Sequence, residues 1–283
     1  MAANYQCLQA DITDTRMETY RLKNIAIVLL LLLNGFLLLL VGYQRFQERR
    51  TAQETSRQLR ELCSASQLTL SGGLDLSSQP LAPLALARRA ETEQAIATYL
   101  LGGEAVPASQ GGGIYSYEAA SGSIQFRAGG SFYGSRIAVP VPDIQAFCQT
   151  FCRQFGYEAP AFQVEDGTGT AAAGQKVDGV DVTGSGVSFT FEDGMLTAVT
   201  GSHVSLEAAS SEPSEGEIDC VTALVRFLDH RNASGAVCSE VRDIHCVYQL
   251  QGTAAARLLP VWQIDTDANT YFVDCRTGEV TGR

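Results

Sequence analysis

The chain has 283 residues, 45% of them hydrophobic and 18% charged, which is apolar enough to fold and too apolar for a disordered acidic tail. Lys and Arg number 20 against 31 Asp and Glu, a net charge of −11. The first 60 residues carry +3 and the rest −14, so the body would repel a phosphate backbone and nucleic acid is not an expected partner.

The strongest local signal lies between Ile25 and Gly42, IAIVLLLLLNGFLLLLVG, where nine of eighteen residues are Leu. No charge occurs between Lys23 and Arg45. Eighteen helical residues rise roughly 27 Å, close to the thickness of a bilayer's hydrocarbon core. Each Leu favours mid-membrane by about 0.5 kcal/mol, so Asn34 and Gly35 are tolerated. The run is longer than a signal-peptide core, and YQRFQERR after it offers no small-x-small cleavage site. An uncleaved single-pass anchor is therefore expected over 25–43, with residues 1–24 as a cytoplasmic tail. Three basic residues precede the span and five follow it (Arg45, Arg49, Arg50, Arg57 and Arg60), which taken literally would put the body inside. Long domains translocate largely regardless of charge, and the signal-anchor layout places the body outside. Asn34 reads either as a tolerated polar residue or as an interhelical hydrogen-bond donor, with Gly35 allowing close helix approach.

Beyond the span, residues 44–66 lack Pro and Gly and read as a juxtamembrane stalk helix. Pro80, Pro83 and nearby Ser and Gly mark a linker. Three helices are expected. Thr92 to Leu101 stops at Gly102-Gly103. Asp143 to Phe155 carries Ile144, Phe147, Cys148, Phe151, Cys152 and Phe155 on one face. Glu217 to Arg231 has a Ser214–Glu217 capping-box pattern and Asn232 for the left-handed C-terminal position. Each is followed by hairpin signals: Ile114–Glu118 with Ser123–Arg127, Val187–Phe191 with Met195–Thr200, and Val261–Asp265 with Tyr271–Cys275. The class is α+β: the anchor helix, then repeated helix-plus-antiparallel-meander units at 67–140, 141–208 and 215–283. Asp166–Gln175, rich in Gly, Thr and Ala, reads as an exposed loop.

No motif announces a reaction. His203, His230 and His245 lie in no metalloprotease or Ser/His/Asp signature and read as structural. Gly111–Gly113 is a loop tip, not a phosphate cradle. Seven of the eight Cys fall in the body: 63, 148, 152, 220, 238, 246 and 275. There is no CxxC, and Cys148 with Cys152 lacks two further ligands at metal spacing, so both read as small core residues. No cofactor or metal ligand set is expected, and a catalytic thiol has no His placed to activate it.

The stretch RLKNIAIVLLLLLNGFLLL, the stalk and the helix-plus-meander units together resemble the YycH/YycI type, most closely YycI. The closing PVWQIDTDANTYFVDCRTGEVTG is similar to that family's last hairpin, and YFVDCRTGEV resembles the final strands of PepSY domains. The resemblance implies a Gram-positive, single-pass extracytoplasmic regulator of a cell-envelope sensor histidine kinase, without catalytic residues. Its implied partners are that kinase and a paralogous regulator, with Asn34 and Gly35 as candidate contacts inside the membrane. Seven body cysteines depart from the family pattern. The other readings are a PepSY-like module that binds peptide or restrains a protease, through exposed edge strands, and an envelope enzyme using Cys.

Overall fold

The computed structural model describes residues 29–39, 54, 57–205, 209–211, 216–252 and 255–282. The chain divides into two compact units, Met1–Gln58 and Leu59–Arg283. In the first, residues 29–39 form a helix whose large apolar side chains are all exposed. Among the described residues no helix is long and apolar enough to cross a membrane. The rest of the expected span, 25–28 and 40–43, lies outside the described residues, as do 44–53 of the expected stalk.

The second unit is α+β and dominated by strands. Helix α1, residues 57–65, enters it at Leu59. Then come β1 (Thr69–Leu70), β2 (Leu84–Leu86), α2 (Ala90–Leu100), β3 (Val106–Gly111), β4 (Ile114–Ala119), β5 (Gly122–Arg127) and β6 (Ser131–Pro140). Next are α3 (Ile144–Phe155), β7 (Ala161–Glu165), β8 (Thr168–Val177), β9 (Val180–Glu192), β10 (Met195–Ser202) and β11 (Ala209–Ser211). The chain closes with α4 (Cys220–Ser234), β12 (Glu240–Gln251), β13 (Ala256–Thr266), β14 (Thr270–Asp274) and β15 (Val280–Gly282).

Strands β3-β4-β5-β6-β10-β9-β8-β7, in that spatial order, make one antiparallel sheet. α2 and α3 share one core with it. Tyr99 on α2 donates from its hydroxyl to the Phe147 carbonyl on α3 at 2.9 Å, so the helices dock on each other too. Strands β12 to β15 form a second sheet under α4, with β1 parallel to β12 and β2 antiparallel to β13. Residues 59–70 therefore join the C-terminal core, through Leu59, Cys63, Leu68 and Leu70. The sheets meet at β9, whose Val182 and Thr183 pair in parallel with Tyr248 and Gln249 of β12. From Gly186 onward β9 pairs with β10 instead. The chain changes partner at Gly184, which sits at φ 78°, a left-handed conformation that only Gly adopts without strain.

Helices α3 and α4 are closed at both ends by the same chemistry. The Asp143 carboxylate accepts from the Ala146 N–H, and the Asp219 carboxylate from the Thr222 N–H, both at 2.8 Å. Gly156 and Gly235 take the left-handed C-terminal position and return their N–H groups to Cys152 and Arg231. The α4 expectation is corrected here. Ser214 lies outside the described residues, Asp219 is the cap, and the helix runs past Asn232 to Ser234 because Gly235 pays no steric cost at positive φ. The loop expected at 166–175 is also corrected. Residues from Thr168 on form β8, held between β7 and β9, with Ala171, Ala173, Gln175 and Val177 turned into the protein. Its small residues hid a strand whose stability comes from both neighbours rather than from its own propensity.

Candidate functional site

Asn34 and Gly35, the two residues singled out in the apolar run, both fall in helix 29–39. The Asn34 amide donates to the Leu30 carbonyl one turn back at 2.9 Å, so the polar group is partly satisfied inside its own helix. Open space surrounds the Gly35 Cα, where an added Cβ would meet nothing within 4 Å. A neighbouring helix could approach closely at that point.

In the body, an open cleft of about 540 Å³ lies between the start of α2, the end of α3 and the end of β8. Arg89, Thr92, Gln154, Lys176, Asp178 and His203 line it. Its floor is fixed by a buried amide. Gln175 donates to the Val204 carbonyl at 2.8 Å and accepts from the Val204 N–H at 2.9 Å and the Ser185 hydroxyl at 2.8 Å. The Tyr157 hydroxyl anchors the same segment through the Ser202 carbonyl at 2.9 Å. His203 Nε2 lies 3.1 Å from the Phe155 carbonyl, which only an N–H can satisfy. Burial pushes the His203 pKa down, so the ring is neutral and positions Phe155 rather than carrying charge. Lys176 is shared between Glu158 at 3.3 Å and Asp181 at 3.2 Å. The α2 end of the cleft is braced by Arg88, which forks onto Glu93 at 2.9 and 2.6 Å and stacks 3.4 Å over the Tyr115 ring.

All seven body cysteines are free thiols, and all but Cys246 are buried. Burial raises the Cys148 pKa to about 12 and that of Cys152 to about 11. Both sit against the aromatic core as the apolar face of α3 implies. Cys246 differs: a hydrogen bond from the Cys275 thiol lowers its pKa, while that contact raises Cys275. No His of the described chain touches this pair in a hydrogen bond that would make it an acyl-transfer nucleophile.

A third cluster was not foreseen. Asp243 and His245 project from the same face of β12, and Asp265 stands directly across on β13. Their ligand atoms all lie within 4.8 Å of one another. The parts were visible as Asp-Ile-His and as the last residue of VWQID. Nothing local gives the register that sets Asp243 opposite Asp265.

No protein-family model matches the chain, and no curated protein does. Twelve solved chains are similar to it, among them the two that follow. An uncharacterized protein from Eubacterium rectale ATCC 33656 aligns with TM-score 0.39 and 11% identity, over 76% of this chain and 86% of that one. The C-terminal domain of Bacillus megaterium YpeB aligns with TM-score 0.33 and 11% identity, over 70% of this chain and 98% of that one. Both scores are too low to assign a family, and the YycH/YycI assignment is not confirmed by them.

Proposed function

We propose that the protein is a membrane-tethered extracytoplasmic regulator that modulates a cell-envelope sensor histidine kinase by contact. The observation that carries this reading is the apolar run itself. Within it, Leu29–Leu33 and Phe36–Leu39 are 49–74% exposed. Taking one such side chain out of water is worth about 1.5–3 kcal/mol, so nine within eleven residues need lipid or a partner helix. Asn34 and the open surface at Gly35 give that contact a polar and a close-packing point. Action by contact is favoured over catalysis by the Cys148 and Cys152 thiols, which burial holds protonated, and by a neutral, carbonyl-bonded His203.

The test is crosslinking of the full chain in native membranes, followed by identification of what is joined to it. A sensor kinase is expected in the adduct, and Asn34→Leu lowers its recovery about threefold, in line with ~0.6 kcal/mol for such a bond in lipid. Recovery of the chain from the soluble fraction, or of no kinase, refutes the reading.

The second reading, a PepSY-like module that binds a peptide or restrains a protease, is favoured by the polar cleft beside α2. Inhibition of secreted proteases by the full chain would support it, and the inhibition would fall with Arg89→Glu in the cleft.

A further inference from the structure

The face of the second sheet that points away from α4 carries a compact block of metal-ligating chemistry. Trp262 and Ile264 face the core under α4. The alternate residues Gln263 and Asp265 therefore face the other way, with His245 opposite Gln263 and Asp243 opposite Asp265. Like charges placed directly across two strands destabilise a sheet unless a cation lies between them. A register shift between Val241 and Asp243 turns the Asp243 side chain at this point.

The three ligand groups lie close together. Asp243 Oδ1 accepts from the Ile244 N–H at 2.9 Å, leaving Oδ2 facing His245 Nδ1 at 3.1 Å. Asp265 is held by the Gln263 amide on the same face, which reaches both its oxygens at 3.2 and 3.1 Å, and by the Thr270 hydroxyl at 2.7 Å. Such outer partners fix a ligating carboxylate in place. Bonds to zinc run about 2.0–2.2 Å for nitrogen and oxygen, which in a tetrahedral site puts neighbouring ligand atoms about 3.3–3.6 Å apart. The His245 Nδ1–Asp243 Oδ2 pair, at 3.1 Å, is at hydrogen-bond distance just inside that spacing, and Asp265 is within 4.8 Å of both, so an ion would be seated by small side-chain adjustments.

We propose that Asp243, His245 and Asp265 bind one divalent transition-metal ion, Zn²⁺ in preference to Mg²⁺ or Ca²⁺, and that the ion ties β12 to β13. The imidazole sets the preference, because Mg²⁺ and Ca²⁺ take oxygen ligands. Three protein ligands leave a coordination position toward solvent, open to water or to a side chain of a docked protein.

The full chain in detergent is titrated with ZnCl₂ while its thermal midpoint is followed. At a hundredfold excess over the dissociation constant the midpoint should rise by about 5–10 °C, and MgCl₂ should leave it unchanged. Asp265→Asn and His245→Gln should each abolish the rise. The Co²⁺ spectrum of the unmodified chain should lack thiolate charge-transfer bands, since the ligands are nitrogen and oxygen, and this holds even where a variant fails to fold. No rise with zinc, a rise that survives both substitutions, or a cobalt–thiolate band would overturn the site, the last by moving the ion to the cysteines.

Discussion

The two cores of the body are built from different materials. Under the first sheet, Phe126, Phe132, Phe151, Phe155, Phe189, Phe191, Tyr117 and Tyr157 fill the space beneath α2 and α3. Their rings meet in a chain, with Phe151 within 5.6 Å of Phe155, Tyr157, Phe189 and Tyr99. Under the second sheet, Cys63, Cys220, Cys238 and Cys275 stand among Leu59, Leu68, Leu224, Val241, Ile244 and Ile264 around Trp262 and Phe227. That core too is tied by directed bonds. Trp262 donates to the Ile218 carbonyl at 3.0 Å, and Arg231 donates to the carbonyls of Ser66 at 2.9 Å and Cys238 at 3.1 Å. The difference teaches that one helix-on-sheet layout tolerates two packing strategies. Large rings concentrate the stability, whereas smaller aliphatic side chains and thiols spread it out.

The sharpest break of this comparison is Phe151→Ala. It opens a ring-sized cavity in the aromatic core and should cost about 3–5 kcal/mol. Cys220→Ala in the other core should cost about 1 kcal/mol, because only a small apolar group is lost. Urea midpoints at constant slope measure both, and equal losses would refute the contrast.

Gly184→Val attacks the link between the cores. A β-branched residue at φ 78° is strained by about 1–3 kcal/mol. The substitution should split a single thermal transition into two, read by calorimetry. One unshifted transition would mean that β9 does not couple the sheets.

The smallest expected effect is confined to the second region. Asp267 accepts from the Ser239 hydroxyl and N–H and from the Glu240 N–H, which holds its carboxyl at about 2 against an ordinary 3.8. The folded value lies below the unfolded one, so its stabilisation is complete above about pH 4 and is lost as pH falls through about 2. Asp267→Asn should therefore flatten the thermal midpoint between pH 5 and about 2 while leaving the acid end unchanged. An identical pH profile for the two proteins would show that the hydrogen bonds do not favour the charged form.

How much was legible depends on range. Helix α3 is legible in the sequence because its signals are local: six apolar residues on one face, Pro142 before it and Gly156 after it. The hairpins of β4 with β5 and β13 with β14 were legible for the same reason, as alternation broken by a short turn. For α4 the stop was misplaced by three residues, since Asn232 and Gly235 both suit a left-handed end and only packing chooses between them. The sequence hides β8 because Gly and Ala carry little strand preference of their own and gain it from flanking strands.

Composition and order alone determined the apolar run, the acidic body, the α+β class and Cys148 and Cys152 as core residues, all of which depend on neighbours within a few residues or on totals. Tertiary structure alone decided that residues 59–70 pack with the C-terminal strands, that two helices share one sheet, and that Asp243 and His245 meet Asp265. Those facts depend on strand register between segments twenty to two hundred residues apart, and side-chain periodicity along one strand fixes which face a residue takes but not which partner lies across from it.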